Sequence, residues 1–206
     1  MTIPLNTHTG EEQAWEQLKS LTYEDICCRA KVTCDKALHI YILESFGQNI
    51  NISLSNKDIS GGSQESGFQL KKLDDYSKLS ILWYLVNAKN IVFSNKLIRP
   101  EDLKGGSIYS KGSHVLPLDK IADKYGRDRE GFIQRGNELA CEELVYGDAS
   151  IKLYPFPRIP IIIILWKSDD EFAARSDLLF DATCELHLPV DIIWSTAMMT
   201  VLMMLK

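Results

Sequence analysis

The side chains best suited to hold a ligand lie in one glycine-rich stretch, residues 105–114 (GGSIYSKGSH). Glycine lets a ligand approach the backbone closely, and a neutral histidine ring can coordinate a metal ion. The predicted ligand-binding residues are Gly105, Gly106, Ser107, Tyr109, Lys111, Ser113 and His114. The stretch is not a Walker loop, because it lacks the Gly-x4-Gly-Lys-Ser/Thr pattern. An ordered surface loop with glycine turns is the alternative interpretation.

Three carboxylates, Asp169, Asp170 and Glu171, follow the most apolar run of the chain, residues 161–166. Such a run without alternation is typical of a strand buried on both faces, and acidic side chains beyond a buried strand often bind a ligand or divalent metal. The same residues suit the first turn of a helix, where Ser168 and Glu171 form a capping box. We predict a helix from Ser168 with three buried side chains, Phe172, Leu179 and Leu186. The alternative is a small metal-dependent enzyme that uses the carboxylates.

Other charged or metal-ligating residues are weaker candidates. Arg158, in the segment Phe-Pro-Arg-Ile-Pro, is a further candidate site residue. Cys184 and His187 share one helix face, with Asp181 one turn earlier, but zinc usually needs four ligands. The three N-terminal cysteines, Cys27, Cys28 and Cys34, are also candidate metal ligands. The alternative is that each packs simply as a small buried hydrophobe. The sequence therefore assigns no metal.

Charge and motifs exclude several classes of protein. The formal net charge of the 206 residues is −5 and no basic stripe is present, which argues against a nucleic-acid-binding protein. No Gly-x-Ser-x-Gly elbow indicates a serine hydrolase. Five irregularly spaced cysteines and the absence of a signal peptide favour a reducing cytoplasm. The apolar tail, residues 189–206, carries too many polar residues for a membrane span.

The elements that position these residues belong to an α+β fold. Period-2 patterns predict strands at 36–44 and 49–54, joined as a hairpin, and further strands at 150–156 and 161–166. Helical spacing predicts helices at 11–20, 23–31, 75–88, 117–126 and 128–144, a Gly/Ser-rich loop at 55–67, and irregular structure at 90–117. We expect a single domain, 1–206, with a helical part at 10–35 and the rest at 36–206. Its core is a small, mainly antiparallel sheet of about four strands packed with about six helices.

The apolar sequence of the C-terminal tail is consistent with two structures, a helix buried in the core or an interaction surface. Its methionines, Met198, Met199, Met203 and Met204, lie beside other large apolar residues. Methionine packs adaptably and is common both in cores and at protein interfaces. A homo-oligomer is therefore one expectation, and a buried helix is the other.

Several segments in order resemble an uncharacterised family, the domain-of-unknown-function family 3786 of anaerobic bacteria and archaea. The resemblance rests on FPRIPIIIILWKSDDEFAARSDLLFD, with KGGSIYSKGSHVLP and YGD before it and LHLPVDIIW after it, and it covers roughly residues 10–205. Some relatives look fused to a cysteine-rich iron–sulfur segment, which this chain lacks. The resemblance implies an anaerobic setting of one-carbon, corrinoid or redox metabolism, without a reaction or an active site.

These observations favour a non-catalytic accessory protein that binds a cofactor or a protein partner. The resemblance suggests a corrinoid (cobalamin), with His114 as a cobalt ligand. The chain lacks the Asp-x-His-x-x-Gly pattern of familiar corrinoid-binding domains, which counts against that ligand or demands another binding mode.

Overall fold

The computed structural model describes residues 7–106 and 114–206. The helices among these residues are α1 (Thr7–Ser20), α2 (Tyr23–Ala30), α3 (Gln64–Lys72), α4 (Asp74–Asn87), α5 (Leu118–Tyr125), α6 (Arg129–Glu138), α7 (Cys184–His187) and α8 (Val190–Met204), with a short 3-10 turn at Pro100–Asp102. The strands are β1 (Thr33–Asp35), β2 (Ile40–Ser45), β3 (Gln48–Ser53), β4 (Asp58–Gly61), β5 (Leu97–Ile98), β6 (Glu142–Leu144), β7 (Ala149–Phe156), β8 (Ile159–Trp166) and β9 (Arg175–Asp181). The α+β class is confirmed.

The first sheet is an antiparallel meander in the order β1-β2-β3-β4. Its centre is the predicted hairpin: Ser45 pairs with Gln48, and Phe46 and Gly47 form the turn with φ values of 49° and 74°. Positive φ at both turn residues matches the twist of the flanking strands. The supposed Gly/Ser loop at 55–67 is instead β4 and the start of α3. Ser63 caps α3 by accepting the backbone N–H of Ser66.

The second sheet is antiparallel in the order β5-β9-β8-β7-β6. β8 lies at its centre and is buried from Ile159 to Leu165, as the unbroken apolar run predicts. The strands β7 and β8 therefore do not share a sheet with the β2–β3 hairpin. One backbone hydrogen bond, from the N–H of Phe46 to the carbonyl of Tyr154 (2.9 Å), connects the hairpin turn to β7.

One predicted helix, from Ser168, does not form, and another, at 128–144, is shorter than predicted. Residues 168–174 form a loop, and the chain then returns as β9, so no helix begins at Ser168. Phe172 is 69% exposed and Leu186 is 52% exposed, against the prediction that both are buried. The helix predicted at 128–144 ends at Glu138, because Ala140 adopts φ 54° and β6 follows.

The helix α8 is buried within the chain. All four tail methionines are at most 8% exposed, and the carbonyl oxygens of Met203 and Met204 accept hydrogen bonds from Arg135 and Tyr125. The core interpretation of the methionines is therefore correct, and they do not form an exposed surface. Among the described residues, no helix combines the length and apolar character needed to cross a bilayer. All five cysteines are free thiols.

Candidate functional site

A cleft of about 630 Å³ opens on one face of the second sheet, and we call it the Trp166 cleft. Its floor comes from the adjacent strands β8 and β9, and its walls come from the chain on either side of residues 107–113. The described lining residues are Arg99, Pro100, Glu101, Val115, Leu116, Leu118, Ile164, Trp166, Asp177, Leu178 and Leu179. The segments that flank the predicted glycine-rich loop therefore form the walls of this cleft.

The indole ring of Trp166 is held in one orientation on the floor. Its Nε1–H donates to Asp177 Oδ2 at 2.7 Å, and the Arg175 guanidinium lies 4.8 Å from the ring centroid. Trp166 and Arg175 are directly opposite in the β8–β9 register, which brings the cation onto the ring. A ring fixed by a hydrogen bond and a cation gives the cleft a preformed aromatic surface.

Two glycines of the predicted loop, Gly105 and Gly106, have structural reasons to be glycine. Gly106 donates its N–H to the Leu103 carbonyl at 2.7 Å, and a Cβ there would lie 2.1 Å from the carbonyl oxygen of Pro100. Gly105 adopts φ +86°, a conformation that favours glycine. The other predicted loop residues, Ser107, Tyr109, Lys111 and Ser113, lie outside the described residues.

His114 lies beside α8 and is not among the residues that line the cleft. Its carbonyl accepts the Nε1–H of Trp194 at 2.6 Å, and the two rings pack edge to face with centroids 4.9 Å apart. The ring is half-buried. A single imidazole can serve as one ligand of a cobalt ion, and within the described ranges His114 belongs to no group of three or more His, Cys, Asp or Glu side chains that could hold a metal ion.

The acidic loop lines a second cleft, of about 610 Å³, together with Lys124 and Arg127. Asp169 Oδ1 accepts the backbone N–H groups of Phe172 (2.7 Å) and Glu171 (2.9 Å), and these bonds hold the pKa of Asp169 below its ordinary value. Asp170 and the Glu171 side chain are exposed. Across the described ranges, no group of three or more His, Cys, Asp or Glu side chains is placed to bind a metal ion.

Arg158 donates to three backbone carbonyls and to one side-chain amide. Its guanidinium donates to the carbonyls of Arg29 (3.1 Å), Ile91 (3.0 Å) and Cys28 (3.2 Å), and to Asn90 Oδ1 (2.6 Å). These acceptors belong to α2 and to the chain after α4. The side chain therefore fixes irregular backbone beside the turn between β7 and β8.

Asp181, Cys184 and His187 are close in the chain but have separate roles. The Asp181 carboxylate accepts from the backbone and hydroxyl groups of Ser94 and Thr183 and from the N–H of Asn95. Burial alone would raise the pKa of Asp181, but the hydrogen bonds from Thr183 and Ser94 hold it below its ordinary value. Burial raises the pKa of Cys184 to about 12, so this thiol stays protonated.

His187 is a buried neutral imidazole. Its Nδ1 accepts the backbone N–H of Lys89 at 3.1 Å, which places the ring proton on Nε2. Burial, and then the positive charges of Arg158 and Lys89, lower the pKa of His187 to about 4. In the N-terminal part, burial raises the pKa of Cys27 to about 12, and exposed Cys28 accepts a hydrogen bond from the Asn90 amide.

Two groups of residues were missed by sequence reasoning. The predicted helix obscured the pairing of Arg175 and Asp177 with the strand that ends at Trp166, although the apolar run at 178–180 also fits a short buried strand. The other group is a cross-strand cluster on β6 and β7. Glu142 accepts hydrogen bonds from the Lys152 ammonium and from the Tyr154 hydroxyl (2.8 Å). No short-range sequence signal marks this cluster, because ten residues separate Glu142 from Lys152.

A family model described as a domain of unknown function (DUF3786) matches residues 22–203. This match spans most of the chain, including both sheets and the Trp166 cleft. Neither the comparison with curated proteins nor the comparison with solved structures gave a match.

Proposed function

The chain belongs to the family described as a domain of unknown function (DUF3786), and from that premise we propose that it is a non-catalytic binding protein. Its ligand is a small-molecule cofactor held in the Trp166 cleft. The observation that carries the proposal is the position of this cleft. Described residues that precede and follow the glycine-rich stretch in the sequence, among them Glu101 and Val115, line it.

The size and chemistry of the cleft support this role. Ligand sites usually measure roughly 300–1,000 Å³ and combine an apolar lining with a few polar groups. Here Ile164, Leu116 and Leu179 supply apolar surface, and the Trp166 indole supplies a ring on which a flat ligand can stack. Arg99 and Glu101 at the rim give the orienting charges.

A corrinoid is the first ligand to test. It is suggested by the family resemblance. His114, next in sequence to the cleft residue Val115, would supply an imidazole to the metal, and Trp166 would contact the ligand in the cleft. When bound, a corrinoid supplies a cobalt centre for one-carbon chemistry. The protein would hold and orient it, and a partner enzyme of anaerobic metabolism would carry out the reaction.

Titration with hydroxocobalamin tests the corrinoid version. We expect a shift in its visible spectrum on binding, lost in His114→Ala, and quenching of tryptophan fluorescence that weakens in Trp166→Leu. Lys124→Ala, on the second cleft, is the matched control and should bind normally. No spectral shift, or a shift that His114→Ala leaves intact, would overturn cobalt ligation by this histidine.

A thermal-shift panel of common cofactors tests the broader proposal. We expect at least one compound to raise the melting temperature of the native chain and of Lys124→Ala, with a clearly smaller effect on Trp166→Leu. If every stabilising compound acts equally on Trp166→Leu, or none stabilises the native chain, the Trp166 cleft is not the ligand site and the proposal fails.

A further inference from the structure

A smaller cleft, of about 310 Å³, lies where the two sheets meet, and we call it the seam cleft. Its residues come from five segments: the residue after α2, the β2–β3 hairpin, the chain after α4, the chain from the end of α6 into β6, and the end of β7 with the turn that follows. At this junction the Phe46 N–H donates to the Tyr154 carbonyl. Ligand sites occur preferentially between structural units, which makes this cleft a candidate separate from the Trp166 cleft.

One side of the seam cleft is aromatic and apolar. The rings of Phe93 and Tyr154 lie 6.5 Å apart between centroids, tilted by 39°, and Pro157 lies beside them. Phe93 is only half-buried, so part of its ring is available to an incoming group. This side suits an aromatic or large apolar side chain.

The charged groups of the cleft divide into a paired set and an unpaired set. The Glu142 carboxylate is neutralised by the Lys152 ammonium and the Tyr154 hydroxyl, and these bonds lower the pKa of Glu142. Lys152 also lies over the Tyr154 ring, which fixes its ammonium beside the cleft. This set is preorganised, since each member holds another in place.

The unpaired set is Lys31 and Glu44. Both are exposed and both line the cleft, yet within the described part of the chain neither forms an ion pair with the other or with any other residue. One cation and one anion therefore face the same small volume without a partner. A ligand with both a carboxylate and an ammonium group would complement them together.

We propose that the seam cleft binds a small zwitterion with an aromatic or large apolar side chain, the chemistry of a free α-amino acid. Its carboxylate pairs with the ammonium group of Lys31, and its ammonium group pairs with Glu44. Its side chain packs on Phe93. The site is independent of the Trp166 cleft, so it does not depend on the function proposed there.

Three probes that share a phenyl ring separate the contributions of the two charges. L-phenylalanine carries both charges, 3-phenylpropanoate only the carboxylate, and 2-phenylethylamine only the ammonium. Backbone amide chemical shifts of the native chain, followed by NMR, give both the binding constant and the location. We expect L-phenylalanine to perturb residues of the seam cleft and to bind more tightly than each single-charge probe. The expected ratio is about two- to fivefold, the ordinary range for one exposed ion pair.

Variants at exposed positions identify the contacts without disturbing the fold. Glu44→Gln should remove the advantage of L-phenylalanine over 3-phenylpropanoate, and Lys31→Gln should reduce its advantage over 2-phenylethylamine. Lys124→Gln, an exposed lysine outside the cleft, is the control and should change neither ratio. The proposal is wrong if L-phenylalanine leaves the seam residues unperturbed, or if the three probes bind equally and Glu44→Gln has no effect.

Discussion

Arg158 is the side chain that holds the irregular backbone around the second sheet. Its donors reach two carbonyls of α2, one carbonyl of the chain after α4, and the amide oxygen of Asn90. A guanidinium can satisfy several acceptors at once because its N–H groups form a rigid planar fork. These contacts give Arg158, a candidate site residue in the sequence, a role in holding the fold together.

Replacing Arg158 should destabilise the protein strongly. We expect Arg158→Ala to lower the free energy of unfolding by about 1–3 kcal/mol, because partly buried acceptors lose charged donors. Arg158→Lys should recover only part of this, since an ammonium lacks the fork. Urea denaturation measures both, and exposed Arg175→Ala, expected to cost about 1 kcal/mol or less, is the control. A loss for Arg158→Ala no larger than that of the control would contradict the structural role.

His187 makes stability depend on pH. Its pKa in the folded protein is about 4, below the ordinary value of 6.5, so between these values the unfolded chain binds a proton that the folded protein does not. Stability is therefore retained above pH 6.5 and falls as the pH is lowered towards 4. The slope is at most about 1.4 kcal/mol per pH unit, which gives a loss of about 2 kcal/mol at pH 5.

The variant His187→Asn removes this titration and keeps an acceptor for the Lys89 N–H. We expect the free energy of unfolding of this variant to change little between pH 7.5 and 5.5, whereas that of the native chain falls. His39→Asn, at an exposed position, is the control and should follow the native curve. Parallel curves for His187→Asn and the native protein would show that another group causes the pH dependence.

The β8–β9 hairpin shows what local patterns can and cannot predict. The apolar run at 161–166 correctly predicted the central strand, because only a strand covered on both faces tolerates such a sequence. The next segment combined a capping box with helix-favouring charges, and these local signals favoured a helix. The segment instead forms a strand paired with β8, and Leu178 and Phe180 are buried beside β8. The Asp169 carboxylate accepts backbone N–H groups as a helix cap would, but it closes a turn.

The Trp166 cleft was only partly accessible to prediction for the same reason. Sequence patterns indicated the glycine-rich stretch and the strand that ends at Trp166. They did not indicate that Arg175 and Asp177 lie opposite β8, because register depends on long-range pairing. The seam cleft was not predictable either, since five separate segments of the chain meet there.

The helix α8 contributes to stability through its methionines. We expect Met199→Ala, at a position 1% exposed, to lower the free energy of unfolding by about 2–5 kcal/mol. Leu202→Ala, half-exposed on the same helix, is the matched control and should cost clearly less. Chemical denaturation gives both values. If Met199→Ala changed the mass measured by light scattering but not the unfolding energy, the methionines would have to serve an interface instead.

The two sheets share one hydrophobic core, and this determines how the molecule should unfold. The buried apolar residues form a single connected cluster that runs from α1 to α8 and includes both sheets. Tyr84 illustrates the connection: its ring stacks on Phe156 at 4.7 Å, its hydroxyl donates to the carbonyl of Ala30 (2.7 Å), and it accepts the N–H of Arg158 (3.2 Å). Loss of either sheet would expose core that packs against the other.

We therefore expect both sheets to unfold in one cooperative transition. Far-ultraviolet circular dichroism and tryptophan fluorescence should give the same midpoint in urea. Native-state hydrogen exchange should give the same limiting free energy for amides of β2–β3 and of β7–β8. Tyr84→Phe should lower that common limit by about 1–2 kcal/mol in both sheets, because it removes the bonds to Ala30 and Arg158. A lower limit for one sheet alone, in the native chain or in Tyr84→Phe, would mean that the seam separates two independent units.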